Sequence, residues 1–377
     1  MIYLDYAATT PMRDESIQAY SEVAKKIFGN PSSLHDHGTS AKNVLEGCRE
    51  ELAKLVAVPK NGIFFTGGGT DANILAIQSL LLGNTHRGKH LITTKVEHSS
   101  VKNLFKKLED EGYTVTYLNV TSSGEVNLKE LEESITDNTV LASIHHVNSE
   151  IGVIQPIHEI GKILKKHDIL FHSDCVQSFG KIPINIKEAN LDSISISSHK
   201  IYGPKGVGAA YINPMVKWCS VFPNTTHEFG FRPGTVDVPG IAAFVIAAQL
   251  IYNEMTDEHQ RLQSLRTHLI NEISQLNLPI EIINQAPIHI PTIAGLLIKG
   301  IEGQYSMLEC NRHGMAISTG SACQVGQQEP SKTMIAIGKT PDIAKQFIRI
   351  SFGKNTTMED INYLLKIMKQ TINNFNL

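Results

Sequence analysis

A lysine amine is worth chemical attention when it is taken out of water and set in a turn. Lys200 has that context, in SISSHKIYGPKG (195–206), after a β-rich run and before Tyr-Gly-Pro. Desolvation lowers the basicity of such an amine, and an unprotonated amine can form a Schiff base with an aldehyde. Three further stretches suit the same site. TGGGTDAN (66–73) leaves a predicted strand and enters a helix, so its glycines admit close backbone approach while amides at the helix start attract an anion such as phosphate. It is neither a Gly-Lys-Ser/Thr loop nor G-x-G-x-x-G. FHSDCVQS (171–178) puts Asp174 at the end of another strand and Gln177 three residues on, in what reads as the first turn of a helix. A carboxylate there is costly to desolvate unless a cation or a hydrogen-bond donor meets it. KVEHSS (95–100) closes a third strand with His98, an imidazole able to stack on a flat ring or to move protons.

Singly, each has a plainer role: a tight turn, an N-cap, a solvated lysine, a satisfied structural histidine. Together they supply a phosphate cradle, a carboxylate able to hold a pyridinium nitrogen protonated, a stacking imidazole and a Schiff-base lysine. Those are the requirements of pyridoxal 5'-phosphate. A fifth stretch, AISTGSACQVG (316–326), places Cys323 among small and polar residues, where nothing apolar hides the thiol. A loop of Ser, Thr, Gly, Gln and Pro from about 318 to 331 has few apolar anchors and can move. An unperturbed thiol, with a pKa near ~8.5, is only slightly ionised at neutral pH, so Cys323 needs a base within reach to become a nucleophile.

These residues must be positioned by an α/β framework. GIFFTG, HLITTKVEH, TVTYLNV, TVLASIHHVN, DILFHSD, SISISS and VGAAYI are short β-rich runs, and stretches such as NILAIQSLLLG and IHEIGKILKKH between them have helical periodicity. Strands separated by helices read as βα units on a mainly parallel central sheet flanked by helices. All four stretches of the previous paragraphs that flank the cofactor fall at carboxyl ends of strands, where open α/β sheets bind ligands. Beyond residue 256 the pattern changes. Leu262, Leu265, Leu269, Ile273 and Leu276 form one apolar stripe on a long helix, and AGLLIKG, GQYSMLECNRHG with Gly314 beyond its end, and FIRISFG follow as strand, helix and strand. A last helix begins at Thr357 with Asp360 three residues on, a capping signature, and presents Ile361, Leu364, Leu365 and Met368. The expected organisation is a short segment 1–15 packing near the domain junction, a large α/β domain 16–256 and a smaller α+β domain 257–377.

Bulk composition fits a soluble globular protein of two domains: 377 residues, 41% hydrophobic and 19% charged, with a formal net charge of −3. Lys and Arg form no run of five, which argues against nucleic-acid binding. The amino terminus lacks the pattern of a secretory signal, and no window suggests the roughly 18 apolar residues of a membrane span, so a cytoplasmic location is expected. Five cysteines, Cys48, Cys175, Cys219, Cys310 and Cys323, without a C-x-x-C pair argue against a disulfide framework and against a metal site.

With YLDYAATTP at the start, HHVNSEIGVIQPI in the middle, FRPGT at 231–235 and GSAC near the end, the chain resembles the NifS/IscS cysteine desulfurases over essentially its whole length. The resemblance implies a fold-type I pyridoxal-phosphate-dependent transferase that takes sulfur from L-cysteine, leaves L-alanine and carries a persulfide on Cys323. It implies that Lys200 holds the cofactor, that Asp174 pairs with its ring nitrogen and Gln177 with its ring hydroxyl, and that His98 stacks on the ring and handles a proton. Gly69, Thr70, Ser197 and His199 would hold the phosphate, and Thr235 would reach the phosphate of a partner subunit in a homodimer. Asn148 would contact cofactor or substrate, and Arg349 would clamp the substrate carboxylate, for which a two-pronged guanidinium is suited. The sulfur would pass to an iron-sulfur scaffold, a thiolation enzyme or a dedicated client. A selenocysteine lyase, an aminotransferase of the same fold and a cofactor-free scaffold protein are the competing readings. The residues after Cys323, QVGQQEPSKTM, depart from the family's commonest ones and bear on the choice of acceptor.

Overall fold

The computed structural model describes residues 1–283, 288–320 and 330–375. Strand β1 (Ile2–Tyr3) and helices α1 (Asp14–Lys26) and α2 (Asp36–Leu55) precede the main βα succession. That succession runs β2 (Ile63–Thr66), α3 (Gly69–Gly83), β3 (His90–Thr94), α4 (Ser99–Asp110), β4 (Thr114–Leu118), α5 (Leu128–Ser134), β5 (Thr139–Ser143), α6 (Ile157–Lys166), β6 (Leu170–Asp174), β7 (Ser193–Ser197) and β8 (Gly208–Ile212). The seven strands form one sheet in the order β2-β8-β7-β6-β5-β3-β4. Strands β7, β6, β5, β3 and β4 are mutually parallel, whereas β8 runs antiparallel to both β7 and β2. All strands except β8 therefore end on the same rim. Residues on the two faces of this sheet enter two separate cores, Phe171 and Ile194 on one and Leu141 and Leu170 on the other, as a sheet covered by helices on both sides requires.

Helix α7 (Val238–Gln275) runs unbroken for 38 residues. Its first half contributes Phe244 and Ile251 to the core beneath α1 and α2, and its second half contributes Leu262, Leu265, Leu269 and Ile273 to another core. The latter is completed by β9 (Ile280–Ile283), β10 (Ile293–Ile298), α8 (Gly303–Arg312), β11 (Met315–Ala316), β12 (Phe347–Ser351) and α11 (Met358–Asn374), while α9 (Lys332–Ala336) and α10 (Pro341–Ala344), between β11 and β12, send Met334 and Ala344 into a smaller core with Phe347. Strands β12, β10 and β9 make an antiparallel sheet, while β1 pairs with β11 and sends Leu4 into the same core. Gly314 follows α8 with φ of +74°, and α11 opens with the reciprocal Thr357–Asp360 capping box.

Three sequence expectations need correction. Helix α7 does contain an apolar stretch long enough to cross a membrane by length and composition, but 56% of that stretch is buried within the protein, where its first half is wrapped by other elements and so has no need of a polar face. Leu276 does not extend the buried stripe: it caps α7 and is 40% exposed. After Asp174 the chain forms hydrogen-bonded turns and not a helix, because Gly180 at φ of +70° and Pro183 two residues beyond Lys181 stop propagation after one turn.

The sheet also buries histidines. Burial pushes His172 and His146 down to about 3, so both are neutral in the folded protein. The unfolded chain takes up a proton at each near pH ~6.5 and the folded chain does not, so stability is lost as pH falls from there, by about 1.4 kcal/mol per pH unit for each histidine. His146→Leu should therefore shrink the loss of stability between pH ~7.5 and ~5 by about 2 kcal/mol in urea titrations. An unchanged loss would show that His146 is already charged in the native protein.

Candidate active site

The rim where the strands end borders a cleft of about 460 Å³. One end of it is made by the turn from β2 to α3. Gly68, at φ of +129°, lets the chain reverse, and the first amides of α3, from Gly69 to Asp71, lie in the turn that has no helical carbonyls to bond. A Cβ on Gly69 would sit 2.7 Å from Val176 Cγ2 and 3.2 Å from Ser197 Cβ, so only glycine fits where α3 crosses β7. Ser197, at the end of β7, is 2% exposed and its hydroxyl has no partner among the described residues. Thr70, His199, Lys205 and Gly206 line the same end. Burial first, then Lys200, Lys205 and Lys181, push His199 down to about 4, so it is neutral and its Nδ1 lies 3.1 Å from Thr9 Oγ1.

At the middle of the rim, β6 delivers Asp174. Its Oδ1 accepts from the Val176 amide at 2.9 Å and its Oδ2 from Asn73 Nδ2 at 2.7 Å. Gln177 donates to Ala7 O at 3.0 Å. Lys200 ends the single 3-10 turn after β7, and its Nζ donates to Ala7 O at 2.5 Å and Ala8 O at 2.8 Å. The amine therefore points at the YAATT segment, which forms a wall of the cleft. His98 is the N-cap of α4: its Nδ1 accepts from the Ser100 amide at 3.2 Å and lies 2.8 Å from Ser100 Oγ.

Arg349 comes from β12 and reaches the same cleft. Its side chain is 2% exposed, with Nη1 donating to Ser149 O at 2.9 Å and Nη2 to Asp5 Oδ1 at 2.7 Å, while Nε is buried without a partner among the described residues. An internal carboxylate thus orients the guanidinium and still leaves an N–H edge for an anionic ligand.

Nine of the residues singled out in the sequence line this one cleft: Gly69, Thr70, His98, Asp174, Gln177, Ser197, His199, Lys200 and Arg349. Asn148 does not. Its Oδ1 accepts from the amides of Glu150 and Ile151, and its Nδ2 donates to Val96 O, so it shapes the loop whose neighbours Val147 and Ser149 face the cleft. Thr235 is exposed and lies away from its own cleft. Its loop is tied down by the buried Arg49–Glu228 pair, two contacts of 2.8 Å, and by Arg232 Nε on Asp71 Oδ2 at 2.8 Å. Cys323 falls outside the described residues. Residues the sequence reading passed over are Asn73, inside the quoted TGGGTDAN, Asp5, inside YLDYAATTP, and His145, which lines the cleft with Nδ1 2.8 Å from buried Glu97 Oε1. Their place in quoted motifs is the signal that could have flagged all three, His145 being the first residue of HHVNSEIGVIQPI.

The donor set fits pyridoxal 5'-phosphate. An orphaned buried hydroxyl and free helix amides stand where a phosphate would be held, a carboxylate stands where a ring nitrogen would be met, and an amine lies between them and the guanidinium.

Comparison with known proteins agrees with this chemistry. The family model described as Aminotransferase class-V matches residues 2–364. A putative cysteine desulfurase NifS of Bacillus subtilis (strain 168) is 50% identical over 97% of this chain and 93% of its own length. A cysteine desulfurase IscS of Dictyoglomus turgidum is 39% identical over 98% and 94%. Among solved structures, a NifS-like protein superposes with a TM-score of 0.92 at 32% identity, covering 99% of each chain. SspA in complex with cysteine does so with a TM-score of 0.81 at 32% identity, covering 93% of this chain and 99% of that one. Likeness of this extent leaves no domain outside it: the chain belongs to the class-V aminotransferase family, pyridoxal-phosphate enzymes of fold type I, and within that family to the NifS/IscS cysteine desulfurases.

Proposed function

We propose that this cleft carries out desulfuration of L-cysteine, with Lys200 holding the cofactor, Arg349 the substrate carboxylate and Cys323 receiving the sulfur. The single observation that supports the reading most is the convergence of Lys200, Asp174 and the α3 amides on one rim with Arg349 facing them from β12. When bound, pyridoxal 5'-phosphate supplies a cationic conjugated ring that takes up the electron pair left on an amino acid's α-carbon. Asp174 keeps the proton on the ring nitrogen, Gln177 meets the ring hydroxyl, His98 lies against the ring, and Gly69, Thr70, Ser197 and neutral His199 hold the phosphate. Asn148 acts through the loop it shapes at the substrate side.

The amine of Lys200, set free when the substrate amine takes its place, moves the α-proton. Cys323, as thiolate, attacks the substrate sulfur: an S–S bond forms, the C–S bond breaks, and its electron pair stays with the carbon, which is protonated and leaves as L-alanine. Cys323 retains the sulfur as a persulfide for an acceptor protein, and no external oxidant or reductant is needed. Three of the other described cysteines suit this role poorly, and the fourth, exposed Cys219, does not line the cleft. Burial pushes the thiols of Cys175 and Cys310 up to about 12 and that of Cys48 up to about 11, which leaves them protonated at neutral pH. The exposure of Thr235 outside its own cleft, on a loop held by two ion pairs, supports a homodimer in which it completes the neighbour's phosphate site.

Borohydride treatment of the yellow enzyme should fix the cofactor to the peptide that contains Lys200, and Lys200→Ala should abolish that adduct; an adduct elsewhere would remove Lys200 from its role. Cys323→Ser should keep the cofactor absorption band while alanine release from L-cysteine falls to background. Normal turnover in that variant would mean another group takes the sulfur. Asp5→Asn should raise KM for cysteine about tenfold with little change in kcat, the effect of loosening one charged hydrogen bond on the clamp. A fall in kcat at constant KM would place Asp5 in the chemistry instead.

A further inference from the structure

The buried polar layer under the cleft has a direction. Asp174, as a carboxylate, can only accept, and both its oxygens are met by N–H groups, the Val176 amide and the Asn73 side-chain amide. That contact turns the NH₂ of Asn73 toward the site and its carbonyl oxygen away, where it lies 3.1 Å from His172 Nε2. His172 is fully buried and neutral, so its Nε2 carries the hydrogen that Asn73 Oδ1 accepts, and its Nδ1 accepts from Ser193 Oγ at 3.1 Å. The second hydrogen of the Asn73 NH₂ goes to Ser100 Oγ at 3.0 Å. A hydroxyl that accepts there gives its own hydrogen elsewhere, and His98 Nδ1 is 2.8 Å away. The same Nδ1 accepts from the Ser100 amide at 3.2 Å, whose hydrogen position leaves no choice of donor. Asn73, Ser100 and Asp174 are 1%, 6% and 7% exposed, so water does not compete for these bonds.

We propose that Asn73 is a positioning residue that passes the acceptor character of Asp174 through the Ser100 hydroxyl to His98 and so reinforces, beside the Ser100 amide, the Nε2–H tautomer of that imidazole. Asn73 does not touch His98. Only a side chain with two N–H groups on one atom can donate to a carboxylate and to a hydroxyl at once, which an alanine, a serine or an aspartate at 73 cannot do. Resting on the desulfurase reading above, the consequence is that His98, in that tautomer, meets the reacting groups as a hydrogen-bond donor. A thiol proton then passes to another base, and His98 stabilises negative charge that develops on sulfur or on the ring substituents near it.

The tautomer is directly measurable. In holoenzyme labelled with ¹⁵N-histidine, the His98 ring is the set of long-range ¹H–¹⁵N signals missing from His98→Gln. The expected pattern at neutral pH is that of a ring protonated at Nε2 alone. Asn73→Asp keeps the shape but puts an oxygen opposite Ser100. That oxygen accepts the Ser100 hydrogen, Ser100 Oγ becomes an acceptor, and the His98 signals should shift toward the Nδ1–H pattern. A wild-type ring protonated at Nδ1 overturns the proposal, and so does a folded Asn73→Asp enzyme with unchanged His98 signals. Should Asn73→Asp not fold, Ser100→Ala breaks the next link and should also reduce the Nε2–H preference, a constant pattern counting against the relay. Because the signals report protonation and not turnover, a wrong tautomer refutes the relay without touching the desulfurase reading, while an active-site failure with the expected tautomer does the reverse.

Discussion

Burying a carboxylate at the tip of a central parallel strand is the constraint around which this molecule is arranged. Leaving Asp174 without donors would cost several kcal/mol, on the order of the stability of a whole domain. The donors come from the turn after β6 and from Asn73 in the first turns of α3. Helix α3 must therefore cross the rim at a set distance from β6. Apolar residues such as Leu75, Ala76 and Leu80 hold it against the sheet at that distance. The same placement brings its amino-terminal amides beside Ser197 and makes glycine obligatory at 69. One helix thus supplies both the amides beside Ser197 and the donor to Asp174, and the spacing between the two is set by packing, not by any loop.

Charged pairs then fix the parts that no core holds. The first ten residues are too short for a core of their own, yet they are stitched at several points: Leu4 in the second core, Asp5 on Arg349, and the carbonyls of Ala7 and Ala8 on Lys200. They become a wall of the cleft and tie it to the second core. Arg49 and Glu228 do the same for the loop before α7. Two hydrogen bonds between them, a third from the Phe65 amide, and contact of the guanidinium with the faces of Phe65 and Phe229 hold backbone that takes left-handed φ at both Glu228 and Phe229. Such pairs add little net stability over apolar packing, but removal of one partner leaves an uncompensated buried charge, so they specify position.

The contrast between thiols follows from the same division. Cys175 adjoins Asp174 and is closer in sequence to the cofactor chemistry than any other cysteine, yet it is fully buried, protonated and held by the strand that carries it. A group that must approach a reacting sulfur and then leave cannot be part of a close-packed sheet. A tuned, immobile frame and an acceptor in a polar segment are complementary requirements, and the chain meets them in different stretches.

Much of this was legible in the sequence, because it depends on local pattern. Alternation of β-rich runs with helical periodicity reports the seven strands and their covering helices, since burial on both faces demands it at every step. Glycines and polar residues at strand ends report a rim that borders a cleft, and Lys200 and Asp174, picked out by what their side chains can do, do line it. What the sequence did not disclose depends on contacts between residues far apart along it. That Asp5 orients Arg349 across 344 positions, that Asn73 joins Asp174 to Ser100, that Asn148 bonds its own loop while Ser149 faces the cleft, and that an apolar 38-residue helix is largely buried within the protein were decided by the tertiary structure alone. Hydrogen-bond direction and burial are properties of neighbours in space, and only the packed fold determines which neighbours those are.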